Sequence, residues 1–175
     1  MPIPKAPDGR SDAVSMVLVL FEQLHDQVRD EMRHLDDVGL HWSPGPGANP
    51  ITTIVTHMVG SEAETLRCVA GVPSHRNRES EFGPGRRTRG DVLRELDDAD
   101  ALIAELGPEI GPPNLRRMIA LPTLPSTERR PGFTWLVGNY GHAREHVGHI
   151  QLTAQLYQES STGHGRSAGP PTRIP

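Results

Sequence analysis

The stretch TWLVGNYGHAREHVGHIQLTAQLYQ, residues 134–158, combines a helical pattern of apolar residues with three closely spaced histidines. Apolar residues that recur every three or four positions line one face of an α-helix. This stretch carries such a stripe at Leu136, Tyr140, Ala143, Val147, Ile150 and Ala154. His142, His146 and His149 lie on the adjacent stripe, so they border the apolar face instead of pointing to solvent. The pattern predicts a core-facing helix whose histidines are directed towards the protein interior.

Three further segments show the same helical period, so the sequence predicts an all-α protein with four helices. These segments cover about residues 11–37, 50–71 and 88–106. Four helices of this length joined by loops are typical of a four-helix bundle. The connections at 72–87 and 107–133 are long for a bundle, and loops of that length are usually functional or partly disordered. We expect a short extended piece within residues 115–124 and no other strand.

Length and composition indicate one domain between two tails. Residues 1–10 and 159–175 are rich in Pro, Gly or Ser and lack apolar periodicity, so we expect disorder on both sides of a domain at 11–158. The net charge of −4, from 18 basic and 22 acidic side chains, argues against nucleic acid or a membrane surface as a partner. Cys68 is the single cysteine, which favours a reducing compartment. Without a signal peptide or a membrane-spanning run, we expect a soluble cytoplasmic protein.

The histidines of residues 134–158 are spaced for metal binding. Residues four apart on a helix are neighbours on its surface, so His142 and His146 can close on one cation. A helix rises about 1.5 Å per residue, so His142 and His149 lie roughly 10 Å apart and cannot share an ion. The pattern therefore leaves two candidate pairs, His142 with His146 or His146 with His149. The simpler interpretation is that these are half-exposed histidines, each hydrogen-bonded to a neighbour.

A third metal ligand is expected from another helix, because an open catalytic site typically has three protein ligands and a water. His57 is the best candidate, since it lies near the middle of the second predicted helix among apolar neighbours. Taken alone, it would be interpreted as an ordinary core histidine. His25 and His34 are weaker candidates because neither has a partner at ligand spacing.

Taken together, these motifs resemble those of the DinB/YfiT-like superfamily of metal-binding four-helix bundles. The stretch WSPGPGAN at 42–49 resembles the family's lead-in to its second helix, and His57 falls where that helix supplies a histidine ligand. The stretch HAREHVGH at 142–149 is similar to the family's last-helix pattern, in which a Gln or His follows the glycine. The resemblance covers roughly residues 11–158. It departs from the best-described thiol transferases at position 142, where they carry Glu.

The resemblance implies an up-down-down-up bundle, often a homodimer, with His57, His142 and His146 as ligands of one divalent cation. It places His149 beside the metal ligands or on the substrate side. Members with known activity are often S-transferases or isomerases that depend on a low-molecular-weight thiol such as mycothiol or bacillithiol. Imidazole suits Zn, Ni and Fe(II), and Zn is the ion that we expect.

These features predict a metal-dependent enzyme acting on a small-molecule substrate. A cation held by three neutral imidazoles keeps its full charge and an open position, so it can activate a thiol or a water. This favours a thiol-dependent S-transferase or isomerase or, with water, a hydrolase. His149 is the candidate proton shuttle. Glu64, seven residues after His57, is a candidate base or orienting group, although a surface carboxylate is its simpler interpretation.

Two other functions are compatible with the same residues. The first is a metal-binding stress-response or damage-inducible bundle without turnover. The second is a structural dimer whose histidines only form hydrogen bonds. Metal content distinguishes the second from the others, and consumption of a thiol in the presence of an electrophile distinguishes the enzyme from a bundle that only holds metal.

Overall fold

The computed structural model describes residues 13–83 and 87–163, and these residues are mostly helical. Within these ranges the α-helices are α1 Ala13–Arg33, α2 Asp37–His41, α3 Ile51–Ala70, α4 Arg78–Glu81, α5 Arg89–Leu106, α6 Pro112–Arg116 and α7 Gly132–Gly163. Two short strands, β1 Met118–Ala120 and β2 Arg129–Pro131, pair antiparallel with Ile119 opposite Arg130. A 3-10 helix at Gly107–Glu109 follows α5.

The four long helices lie at the four predicted positions and surround one hydrophobic core. α3 packs against α5 and α7, and α1 packs against the same two helices. The predicted apolar stripe of α7 is buried as expected, with Leu136, Val147 and Ile150 fully inaccessible. They meet large side chains of α1 such as Phe21 and Leu24 in the same core. Burying each side chain of this size contributes roughly 1.5–3 kcal/mol, so the core holds α3 and α7 in fixed register.

The predicted end of the first helix is wrong, because the helix stops before residue 37. α1 stops at Arg33, and Asp36 caps a new helix, α2, by accepting a hydrogen bond from the Gly39 amide at 2.7 Å. An aspartate at this position satisfies amides that a helix start leaves unpaired. α3 ends close to its predicted terminus because Gly71 adopts a φ of 91°, a left-handed conformation that favours glycine.

Both long connections contain ordered elements that lie against α3 and α7. Residues 72–83 include α4, and the connection from 107 to 131 includes α6 and the β1–β2 hairpin. The extended piece expected within 115–124 is confirmed by β1. The expectation of no other strand is wrong, because β2 lies outside that piece and pairs with β1. Trp135 of α7 donates its indole N–H to the carbonyl of Ile119 at 2.8 Å, which fixes the hairpin to the helix.

The predicted tails fall largely outside the described residues. Residues 1–10 and 164–175 lie outside them. α7 continues to Gly163, five residues past the predicted end at 158, because helical hydrogen bonding persists beyond the last apolar position. Of the helices that the structure describes, none combines the length and apolarity needed to cross a membrane.

Candidate metal centre

Three histidines from two helices converge at the contact between α3 and α7. His57 comes from the middle of α3 and is 8% exposed, while His142 and His146 lie half-buried on α7. One ligand nitrogen from each lies within 4.8 Å of the other two. Among the described residues these three form the one group of His, Cys, Asp or Glu placed to hold a metal ion. We refer to them as the histidine cluster.

The spacing of the α7 pair suits two ligands of one ion. The Nε2 atoms of His142 and His146 lie 3.2 Å apart, with ring centroids 4.3 Å apart and ring planes at 79°. Two nitrogens bound to a tetrahedral zinc at about 2.0–2.1 Å lie roughly 3.3 Å from each other. The His57 ring stands edge-on to both rings, at 5.3 and 5.2 Å. The geometry therefore fits His142 and His146 as a ligand pair.

The other candidate pair does not complete this cluster. His149 is exposed, and its ring centroid lies 5.7 Å from that of His146, farther than the His142 ring. It does not belong to the group of converging nitrogens. The role of His149 as a proton shuttle stays a prediction.

The α7 histidines are held in the neutral form that a metal requires. Burial lowers the pKa of His146 to about 4, assisted by the neighbouring His142 and His57. Burial also lowers the pKa of His142, with His57 and the Arg76 guanidinium acting in the same direction. Desolvation and nearby positive charge both disfavour the imidazolium ion. At neutral pH these rings therefore present lone pairs to a cation.

His57 is oriented by a carboxylate on the opposite side of its ring. Its Nδ1 lies 2.8 Å from Oε2 of Glu81, a buried residue at the end of α4. Arg76 Nη2 is 3.2 Å from the same nitrogen, but a guanidinium only donates, so the Nδ1 proton belongs to the bond with Glu81. In the neutral ring, this tautomer leaves Nε2 available to a metal. A carboxylate that accepts from a ligating histidine fixes its orientation and raises its basicity.

Glu81 is itself held ionised by Arg76. Its oxygens accept from Arg76 Nε at 2.6 Å and Nη2 at 2.9 Å, a bidentate pair. Burial raises the pKa of Glu81, but the hydrogen bonds from His57 and Arg76 outweigh it and lower the pKa below its usual value. Sequence reasoning missed both residues, because they lie in the connection at 72–87. One signal was available in Gly60, a glycine inside α3 where an added Cβ would collide with the Glu81 carboxylate.

Comparison with known families agrees with this geometry. The model of the DinB superfamily matches residues 20–150, a stretch that contains the whole histidine cluster. The chain belongs to the DinB superfamily. No curated protein matches it. Superfamily membership and the three-histidine cluster together fit a metal-binding protein of the DinB type.

Glu64 of this DinB-superfamily protein is buried, so the interpretation as a surface carboxylate is wrong. It is 1% exposed and accepts hydrogen bonds from Arg76 Nη1 at 3.0 Å, the Thr123 amide at 3.0 Å and the Thr123 hydroxyl at 2.6 Å. These bonds join the turn after β1 to α3, since residue 123 comes from the 107–131 connection. Its suggested role as a base stays a prediction.

A cavity of about 380 Å³ opens beside the cluster of this DinB-superfamily protein. His57 and His142 line it, and α7 contributes Trp135 and Asn139. α3 also contributes Ser61, Glu64 and Thr65 to the lining, and the two long connections contribute Arg76, Arg78, Leu121, Thr123, Leu124 and Arg130. Cavities of about 300–1,000 Å³ are typical of small-molecule sites. A molecule in this cavity would reach the imidazoles that face a metal.

Proposed function

We propose that this protein is a divalent-metal-dependent enzyme that uses a low-molecular-weight thiol in an S-transfer or isomerisation reaction. The observation that carries the proposal is the position of the histidine cluster, which borders a cavity large enough for a small molecule. A site that only stabilised the fold would be closed by four protein ligands, whereas three leave a position for a substrate. Superfamily membership supports the same function.

His57, His142 and His146 are the residues that would hold the ion. Their nitrogen-only donor set suits Zn, Ni and Fe(II), and we propose Zn. When bound there, a divalent cation lowers the pKa of a thiol or water that reaches it from the cavity.

The other residues of the site position and shield the reactants. Glu81, clamped by Arg76, accepts from the Nδ1 atom of His57 and so leaves Nε2 as the nitrogen that would bind the ion. Trp135, Leu121 and Leu124 give the cavity apolar walls, which exclude water from part of its surface. We assign proton transfer to His149, which is close to His146 and open to solvent.

Assembly and location complete the proposal. We propose that α1, α3, α5 and α7 form an up-down-down-up four-helix bundle and that the protein is a cytoplasmic homodimer. The pairwise packing of the four long helices around one core supports the bundle. Light scattering after gel filtration would test the dimer, and a monomer mass at micromolar concentration would reject it.

Metal analysis of purified protein is the first test. We expect one divalent ion per chain in the native protein and almost none in a His57→Ala, His142→Ala, His146→Ala triple variant. His34→Ala is a matched control, since His34 is exposed and outside the cluster. His149→Ala tests the alternative ligand pair and should keep its metal. Full metal retention in the triple variant would reject the site.

Turnover is tested separately, with the metal-loaded protein, a thiol and an electrophile. We expect the thiol to be consumed faster with native protein than with the triple variant. Metal content without thiol consumption would indicate a metal-holding bundle without turnover. Purified protein without metal, with a thermal stability that a chelator does not change, would indicate the structural dimer.

A further inference from the structure

Two arginines stand at the wall of the cavity beside the histidine cluster. Arg78 begins α4 and Arg130 lies in β2, so they come from the two different connections. The Arg78 guanidinium sits 5.7 Å from the centre of the Phe82 ring, and that of Arg130 sits 5.0 Å from the centre of the Trp135 ring. Stacking on an aromatic face restrains a guanidinium while its in-plane N–H groups remain free to donate.

These two arginines keep most of their charge uncompensated. Within the described residues, no carboxylate lies within salt-bridge distance of Arg78. Arg130 reaches Glu128 at 3.5 Å, but both side chains are about half exposed, and exposed pairs of this kind are weak. Arg76 differs, because Glu64 and Glu81 both pair with it.

The remainder of the lining adds almost no negative charge. Among the described residues that line the cavity, the carboxylate is Glu64, which is already bonded to Arg76 and Thr123. Because Glu64 and Glu81 compensate Arg76, the positive charge of the lining comes from Arg78 and Arg130. A metal ion held by the histidine cluster would make the site still more positive. A concave surface of one charge sign raises the local concentration of opposite charges.

We propose that the cavity binds a small molecule with an anionic group, a carboxylate or phosphate, which Arg78 and Arg130 hold while its reactive end faces the histidine cluster. The planar guanidinium matches these anions with two parallel hydrogen bonds. Asn139 and Ser61, joined by a hydrogen bond of 2.9 Å, supply neutral polar surface in the same cavity. The proposal names the substrate class of the proposed enzyme and rests on that function for the thiol.

The test compares matched ligands on zinc-loaded protein. The probes are 3-mercaptopropionate, its neutral analogue 3-mercapto-1-propanol, and two anions without a thiol, succinate and inorganic phosphate. Binding is followed by the indole N–H signal of Trp135 in ¹H–¹⁵N spectra, because the chain has only two tryptophans and Trp135 lines the cavity. We expect the anionic thiol to bind about tenfold more tightly than the neutral one, the effect of one charge-assisted contact.

Variants separate the arginines from the metal, since a carboxylate can also chelate zinc. In an Arg78→Gln, Arg130→Gln double variant we expect the tenfold preference to disappear with zinc content unchanged. Arg78→Lys, Arg130→Lys keeps the charge and should restore part of it, which also excludes misfolding as the cause. Arg33→Gln is the control, because Arg33 is exposed on α1 and pairs only locally with Asp30.

Each outcome decides between the two proposals. Equal binding of the two thiols, or a preference that survives in the double variant, would overturn the anion site and leave the thiol function standing. Binding of succinate or phosphate that depends on the arginines, without binding of either thiol, would support the anion site and reject the thiol. Succinate binding in preference to phosphate identifies the anion as a carboxylate, and the reverse identifies a phosphate. Failure of every probe to bind would overturn both proposals.

Discussion

Two histidine sites share helix α3 and have opposite electrostatics. In the histidine cluster, His57 of α3 meets two other imidazoles, and the pKa of His146 falls to about 4 through burial and its histidine neighbours. On another side of α3, Oε2 of Glu62 lies 3.0 Å from Nε2 of His25, a residue of α1. Oδ1 of Asp100, a residue of α5, lies 2.6 Å from Nδ1 of the same ring. We call the second group, completed by Arg29, the His25 network.

The comparison shows that burial alone does not decide the charge of a histidine. Burial lowers the pKa of His25, yet the hydrogen bonds to Asp100 and Glu62 raise it to about 9. Asp100 stays ionised because His25 and Arg29 donate to it, and they outweigh burial and lower its pKa. The hydrogen bonds thus favour the imidazolium form of His25, although burial also raises the pKa of its partner Glu62. In the cluster, burial favours neutral rings at His142 and His146.

The largest expected difference between the two sites is in metal affinity. His146→Ala should lower zinc affinity by more than the roughly 10–100-fold typical of losing a ligand's hydrogen-bond partner, because it removes a ligand itself. His25→Gln should leave affinity unchanged. Zinc titration against a chromophoric chelator measures both variants. Equal loss of zinc in the two variants would contradict the division between ligand site and charge network.

The free energy of unfolding should depend strongly on the His25 network. His25→Ala leaves the buried Glu62 carboxylate without its partner, and breaking a buried pair in this way costs roughly 3–5 kcal/mol of unfolding free energy. His34→Ala, at an exposed position directly after α1, should stay within about 0.5 kcal/mol. Urea unfolding of metal-free protein measures both. A His25→Ala variant as stable as His34→Ala would show that the network does not stabilise the fold.

Within the cluster, Glu81 should matter for metal affinity without being a ligand. Glu81→Gln weakens the bond that orients His57, so zinc affinity should fall roughly 10–100-fold. Glu79→Gln changes an exposed residue of the same helix and serves as the control. The chelator competition used for His146 measures both. Native affinity in Glu81→Gln would mean that packing alone orients His57.

The last prediction concerns pH. Because the folded-state pKa of His25 lies at about 9, above its ordinary value of 6.5, its contribution to stability is complete below about pH 6.5 and is lost as pH rises through 9. The unfolding free energy of metal-free native protein should therefore fall more between pH 6.5 and pH 10 than that of His25→Gln. Parallel pH profiles would show that His25 is not a cation in the folded protein.

Much of the fold could be predicted because helical periodicity is a local property. The long helices α3, α5 and α7 begin within two residues of their predicted positions, and β1 lies inside the predicted extended piece. The errors arise where short-range caps compete with periodicity, as at Asp36. The ligand pair on α7 was predictable for the same local reason, since four residues close one helical turn.

The helices and the pairing of His142 with His146 on one turn follow from spacing along the chain, and the residue types available for a metal can be read directly. Which partners the buried histidines contact depends on tertiary packing. Glu81 reaches His57 across 24 residues, and Asp100 reaches His25 across 75. The loops and the packing of the core bring these residues together despite their separation along the chain. No local sequence pattern encodes that arrangement. The same packing surrounds His25 with carboxylates and brings His57, His142 and His146 together as candidate metal ligands.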